Sequence, residues 1–169
     1  MSDWQFDHVN HAMKWATEVL RHRRFPKINP MYQEIVSKQD KAHQESRYWH
    51  GEYGNLPTDP DERVSLALKV NDAANRLMKD EQVLLQLYYW GDYASPKRLA
   101  AAEKIQRSCE QKGRRVRLSY RYSYRQLASI LGVAHTTAAR RVEAALKSME
   151  DMLHQEGLLI THEARRKRA

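Results

Sequence analysis

Between Tyr124 and Arg141 the chain gathers side chains that can grip a polyanion: Tyr124 and Arg125, then His135, Thr136, Thr137, Arg140 and Arg141. A guanidinium presents parallel N–H donors that match guanine O6 and N7, or two phosphate oxygens. Threonine offers a hydroxyl for phosphate and a methyl for the thymine methyl, and a histidine ring nitrogen can donate to phosphate. On a helix opening near Thr136, these residues occupy the first turns, which reach base edges when a helix enters the major groove. Tyr124 and Arg125 stand at the start of the preceding helix, where backbone contacts fall. A second set, Arg114, Arg115, Arg117 and Arg121, lies among tyrosines in the most positive window of the chain. It suits phosphate contact, with a tyrosine stacking on a base. A plainer reading competes for both sets: solvated arginines, tyrosines packed on neighbouring helices, and a helix pair that meets protein rather than DNA.

The elements that must position these groups are legible as periodicity. Leu127, Ala128, Ile130 and Leu131 have helical spacing, and Gly132 follows where a left-handed C-cap suits glycine. Val133 can pack under the turn, and Thr136 is expected to be the N-cap of the next helix. That helix carries Ala138, Val142, Ala145, Leu146 and Met149 on one stripe and Arg140, Arg141 and Lys147 on the other face. Two short helices, a glycine turn and small residues at the crossing make a helix-turn-helix signature.

The rest of the chain also reads as helix, so the fold class expected is mainly all-α. Trp4 to Arg24 is helical, with Trp4, His8, Ala12, Trp15, Val19 and Leu20 on one face and Arg21 to Arg24 suited to the C-terminal dipole. A second helix runs from Pro30 to about Tyr48, followed by a Gly- and aromatic-rich loop to Pro57. Asp59-Pro60-Asp61-Glu62 starts a helix reaching about Met78, with Val64, Leu68, Asn71, Ala74 and Leu77 or Met78 inward. Asp80 to Trp90 is apolar nearly all round and should be buried. Ser95-Pro96 caps a further helix with Leu99, Ala102, Ile105 and Cys109 inward, closed by Gly113. The Arg/Tyr window then alternates as a short extended segment, with Val116, Leu118, Tyr120 and Tyr122 on one side. The expected organisation is an N-terminal helical part (1–57), a helix-turn-helix domain (58–156) with an insertion at about 93–121, and a mobile basic tail (157–169) ending in Arg165-Arg166-Lys167-Arg168.

Composition narrows the function classes. A formal charge of +8 favours a polyanionic partner over a basic one. The single cysteine, Cys109, rules out an intramolecular disulfide and any cysteine-built zinc cluster, which suits a reducing cytoplasm. No apolar run approaches membrane-spanning length, and the N-terminus does not read as a secretory signal. His8 and His11 stand three residues apart with no acidic cluster beside them, so neither a metal site nor another cofactor is expected. The four tryptophans, Trp4, Trp15, Trp49 and Trp90, read as core or protein-contact residues. No nucleophile triad, Gly-rich phosphate loop or paired carboxylates appear, so no enzymatic activity is expected.

Met78 to Met152 resembles region 4 of the sigma-70 class of transcription factors. Asp80-Glu81-Gln82-Val83-Leu84-Leu85-Gln86-Leu87-Tyr88-Tyr89 matches its first helix, Ser123 to Val133 its second, and Thr137 to Leu146 its recognition helix. Two departures stand out: the insertion from about Tyr93 to Arg121, and the lack of a recognisable sigma region 2. A small basic chain combining a sigma-region-4-like part with added helices is similar to the late-gene antitermination proteins of lambdoid and related phages (the Q proteins), in their zinc-free form. That resemblance implies a regulator in the bacterial host cytoplasm that binds double-stranded DNA near a late promoter. It also implies association with RNA polymerase, with its sigma factor at a promoter-proximal pause, and read-through of terminators. A homodimer on DNA is compatible with it. The alternative from another class is a phage DNA-packaging protein that uses a helix-turn-helix without touching polymerase.

Overall fold

In the computed structural model, residues 4–24 and 56–160 are described. They form an all-α fold: α1 (Val9–Arg24), α2 (Pro60–Asn75), α3 (Lys79–Trp90), a 3-10 turn (Gly91–Ala94), α4 (Pro96–Gln111), α5 (Tyr124–Leu131) and α6 (His135–Gln155). Among the described residues the β-type pairing is an isolated parallel bridge between Phe6 and Leu159.

Local chemistry explains where several helices start. The Asp59 carboxylate accepts the N–H groups of Asp61 and Glu62, each at 3.1 Å, and Pro60 opens α2 without wasting a donor. Ser95 Oγ accepts the Arg98 N–H, and Pro96 opens α4 in the same way. At α5, Ser123 and Gln126 form a reciprocal capping box: the Gln126 N–H donates to Ser123 Oγ, and the Ser123 N–H to Gln126 Oε1 at 2.9 Å. Gly132 ends α5 with φ of 65°, left-handed as its position demanded.

One apolar cluster runs from Phe6 through Ala12, Trp15, Leu66, Val70, Leu85, Leu127, Val142, Met149 and Leu153 to Leu159. Helix α1 packs most extensively on α2, while α6 packs on both α5 and α3. The Tyr89 hydroxyl ties α3 to α1 by donating to Asn10 Oδ1 at 2.8 Å. Its burial among aromatic neighbours, with the Tyr88 and Tyr124 hydroxyls adding to the effect, raises its pKa well above the usual tyrosine value.

Several sequence expectations need correction. Helix α1 begins at Val9 rather than Trp4, because residues around Phe6 pair with the segment after α6 instead: Phe6 N–H donates to Leu158 O and Ile160 N–H to Phe6 O. Leu158, Leu159 and Ile160 are therefore core, and the chain does not leave the body at Gly157. Helix α2 stops at Asn75 and buries Leu66, Ala67, Val70 and Ala73, whereas Leu68 is 45% and Met78 74% exposed. This helix carries apolar residues on more than one stripe, and contact with α1 and α6 selects among them. Helix α4 buries none of its residues, and Ile105 is 59% exposed. Apolar spacing becomes core only where another element covers it, and α4 packs chiefly on the 3-10 turn. The Arg/Tyr window has no ladder partner among the described residues; Val116 and Tyr120 are exposed, and only Tyr122 of the four expected inward residues is buried. The cap of α6 is Ala134, without a side-chain bond, and Thr136 already lies inside the helix. The helix expected at Pro30 to Tyr48, most of the loop before Pro57, and Arg165 to Arg168 lie outside the described residues.

Candidate nucleic-acid interface

Helix α6 is fixed in rotation by what it buries. Ala138, Val142, Ala145, Met149 and Leu153 recur every three or four residues and are all essentially inaccessible. The opposite side is consequently turned outward, with Thr136 and Arg140 exposed on it, Arg141 exposed on the flank and Thr137 half-buried. His135, three residues before Ala138, lies in line with the buried stripe and is exposed because it starts the helix. Positive charge is densest in the first turns; further along, exposed Glu143 and Asp151 offset Lys147. Arg125, at the start of α5, is exposed as well, and Tyr124 is half-buried. The starts of the two helices lie together, since Tyr124 meets His135, and Arg125, Thr136, Arg140 and Arg141 are exposed on them. Guanidinium, hydroxyl and imidazole groups on a rigid helix start can bond phosphate and base edges without reorganisation.

An aromatic column supports that face from behind. The Tyr88 and Tyr124 rings stack with centroids 5.5 Å apart and planes 5° from parallel. The His135 ring meets Tyr124 edge-on at 6.0 Å. Desolvation, reinforced by a hydrogen bond with Tyr88, raises the Tyr124 pKa. Arg121 differs from the other arginines of its window. Its guanidinium lies over the rings of Tyr88 at 5.1 Å and Tyr89 at 5.4 Å, and Nη2 donates to the Tyr88 hydroxyl at 3.1 Å. Arg114, Arg115 and Arg117 are on the surface, along the segment that returns from α4.

Sequence reasoning missed what joins that segment to the helix-turn-helix. Asp92, in the 3-10 turn, accepts the Ser119 N–H on Oδ2 at 2.6 Å and the Tyr122 hydroxyl on Oδ1 at 2.7 Å. Its own N–H donates to Ser119 O at 2.7 Å, and the Tyr122 N–H donates to Tyr88 O at 3.2 Å. Burial, then the bond to Asp92, raises the Tyr122 pKa. The chain comes so close here that only a glycine fits at position 91: a Cβ there would stand 2.3 Å from Ser119 O. The available signal was that Asp92 is the single acid between Glu81 and Glu103, set directly after a helix-ending glycine. On the other flank, the Arg21 guanidinium sits 4.0 Å over the Tyr120 ring, which ties the end of α1 to the same segment.

The His8 and His11 rings are 5.8 Å apart, and among the described residues no group of three or more His, Cys, Asp or Glu side chains could hold a metal ion. Among the same residues, no helix is long and apolar enough to cross a membrane. Comparison with protein-family models, with curated proteins and with solved structures yields no match to this chain.

Proposed function

We propose that this protein is a sequence-specific DNA-binding transcription regulator of the phage late antitermination type. In this reading it works in the bacterial host cytoplasm as a binding protein rather than an enzyme. The first turns of α6 enter the major groove, Arg140 and Arg141 meet base edges, and His135, Thr136, Thr137, Tyr124 and Arg125 hold phosphates. The observation that carries the reading is the rotation of α6: its buried stripe leaves Arg140, Arg141 and Thr136 outward. The polymerase part rests on the sigma-region-4-like order of α3, α5 and α6, interrupted by the 93–121 insertion. Once on DNA near a late promoter, the protein joins polymerase and makes it read through terminators.

Two measurements test this. Arg140→Ala or Arg141→Ala should weaken site-specific binding by about 1–3 kcal/mol, the worth of a bidentate base contact. A gel shift unchanged by either variant removes the recognition role of α6. Transcription in vitro on a terminator-bearing template should show more read-through with the protein, which should comigrate with polymerase holoenzyme. No polymerase association, together with a ring-shaped oligomer, would overturn antitermination in favour of a packaging protein.

A further inference from the structure

Charge is spread unevenly along this chain. From Pro96 to Arg121, nine lysines and arginines stand against two acids, Glu103 and Glu110, a formal +7 of the +8 carried by all 169 residues. The remainder is therefore close to neutral. The fold sets this block apart as an arm. The chain leaves the body after the 3-10 turn, runs out along α4 and returns to Asp92 at Ser119, 27 residues on. Helix α4 buries no residue, and Arg114, Arg115 and Arg117 are exposed on the return. The two acids are engaged within the helix, Glu103 with Arg107 at 3.5 Å and Glu110 with Gln106 at 2.9 Å. An exposed element that adds nothing to the core yet concentrates like charge gathers counter-anions, and a polyanion that takes their place binds it favourably.

The arm also has a defined root. Arg121 lies over Tyr88, Tyr88 stacks on Tyr124, and Tyr124 meets His135 at the start of α6. The arm therefore springs from beside the exposed first turns of α6. With 16 residues, α4 extends about 24 Å, or roughly seven base pairs of duplex.

We propose that the 96–121 arm is a second nucleic-acid contact, a clamp that grips phosphates of the duplex flanking the site read by α6. This rests on the DNA-binding reading of α6 and adds to it the residues of α4, Lys97 and Lys104 among them. The arm carries affinity and salt dependence, and α6 carries sequence choice.

The test uses the full chain and three fluorescent probes. One is a duplex of about 30 base pairs holding a site selected from a random pool, the second is its core cut to about 12 base pairs, and the third is a single-stranded RNA matching the longer duplex in length. The arm variant is Lys104→Gln/Arg115→Gln/Arg117→Gln, whose three positions are all exposed, so the core is untouched. The wild-type protein should bind the long duplex at least about tenfold more tightly than the short one in low salt. The arm variant should bind both alike and lower the slope of log K against log salt by roughly 2–3, at about 0.9 per phosphate contact. Arg140→Ala should weaken binding to both duplexes and keep the length preference. An unchanged slope and length preference in the arm variant overturns the clamp. So does an arm-dependent preference for the single-stranded RNA. If Arg140→Ala has no effect while the arm variant loses length preference, the clamp stands and the α6 reading fails.

Discussion

Replacing Gly91 with alanine probes the joint that holds the arm to the helix-turn-helix. Gly91 has φ of 55° and ψ of −123°, a combination glycine adopts freely and L side chains rarely do. The new methyl would lie 2.3 Å from Ser119 O, 2.9 Å from Arg121 N and 3.0 Å from Tyr120 C, all backbone atoms of the returning segment. No rotamer relieves such a contact, so residues 119–121 must retreat. That gives up the Asp92–Ser119 pair of bonds and the Tyr122–Tyr88 bond, each worth about 1 kcal/mol. The backbone at position 91 adds about 1–3 kcal/mol of its own strain. Those bond values already allow for rehydration of the released groups, so the total cost is about 4–6 kcal/mol. Gly132→Ala is the control: φ is 65° but nothing lies within 4 Å of a Cβ there, so only the conformational cost of about 1–2 kcal/mol remains. Urea denaturation followed by circular dichroism compares the two. Gly91→Ala should have the lower midpoint, by about 1–2 M if the slope is ordinary for a small protein. Equal midpoints would refute the claim that close approach, rather than backbone angle, demands glycine at position 91.

Leu127→Ala should cost about 2–5 kcal/mol, because Leu127 is fully buried between α5 and the core, whereas Ile130→Ala, at 37% exposed, should cost much less. Equal thermal shifts for the two would contradict the orientation of α5. Ser123→Ala removes one half of the capping box and should cost about 0.5–2 kcal/mol by chemical denaturation. An unchanged midpoint would mean that the start of α5 is held by packing alone. The protein should also lose stability in alkali. The folded pKa of Tyr89 is raised above the unfolded value of 10.0, chiefly by burial, so the unfolded state loses its proton first and gains from rising pH. Its contribution is intact below pH 10 and falls as pH climbs toward the folded pKa. Tyr89→Phe should flatten that decline while lowering stability at neutral pH through loss of the bond to Asn10. A parallel alkaline decline in both proteins would remove Tyr89 as its cause.

Features governed by near neighbours in the chain are legible in the residues alone. The Asp59-Pro60 and Ser95-Pro96 starts, the Gly91 and Gly132 stops, and the Ala138/Val142/Ala145/Met149 stripe all follow from bonds and spacings within a few residues. The rotation of α6 follows from that stripe, so the outward placement of Arg140 and Arg141 is readable as well. Decisions that depend on distant partners are not. Helix α2 has apolar residues on competing stripes, and only contact with α1 and α6 makes Leu66, Ala67, Val70 and Ala73 the core and leaves Leu68 in water. The helical spacing of Leu99, Ala102, Ile105 and Cys109 looks equally amphipathic in the sequence, yet no element among the described residues buries it and α4 stands out as an arm. Phe6 meets Leu158 and Ile160 across about 150 residues of sequence, so neither segment announces the other. Asp92 belongs to the same class, since an acid acquires a role only when Ser119 and Tyr122 are brought to it. Periodicity and side-chain capping act over one or two helical turns and are written in the sequence, whereas the start of α6 at Ala134, which has no side-chain cap, is not. Which apolar face finds a partner, and which polar group is desolvated against which, is settled by the summed packing of the whole chain.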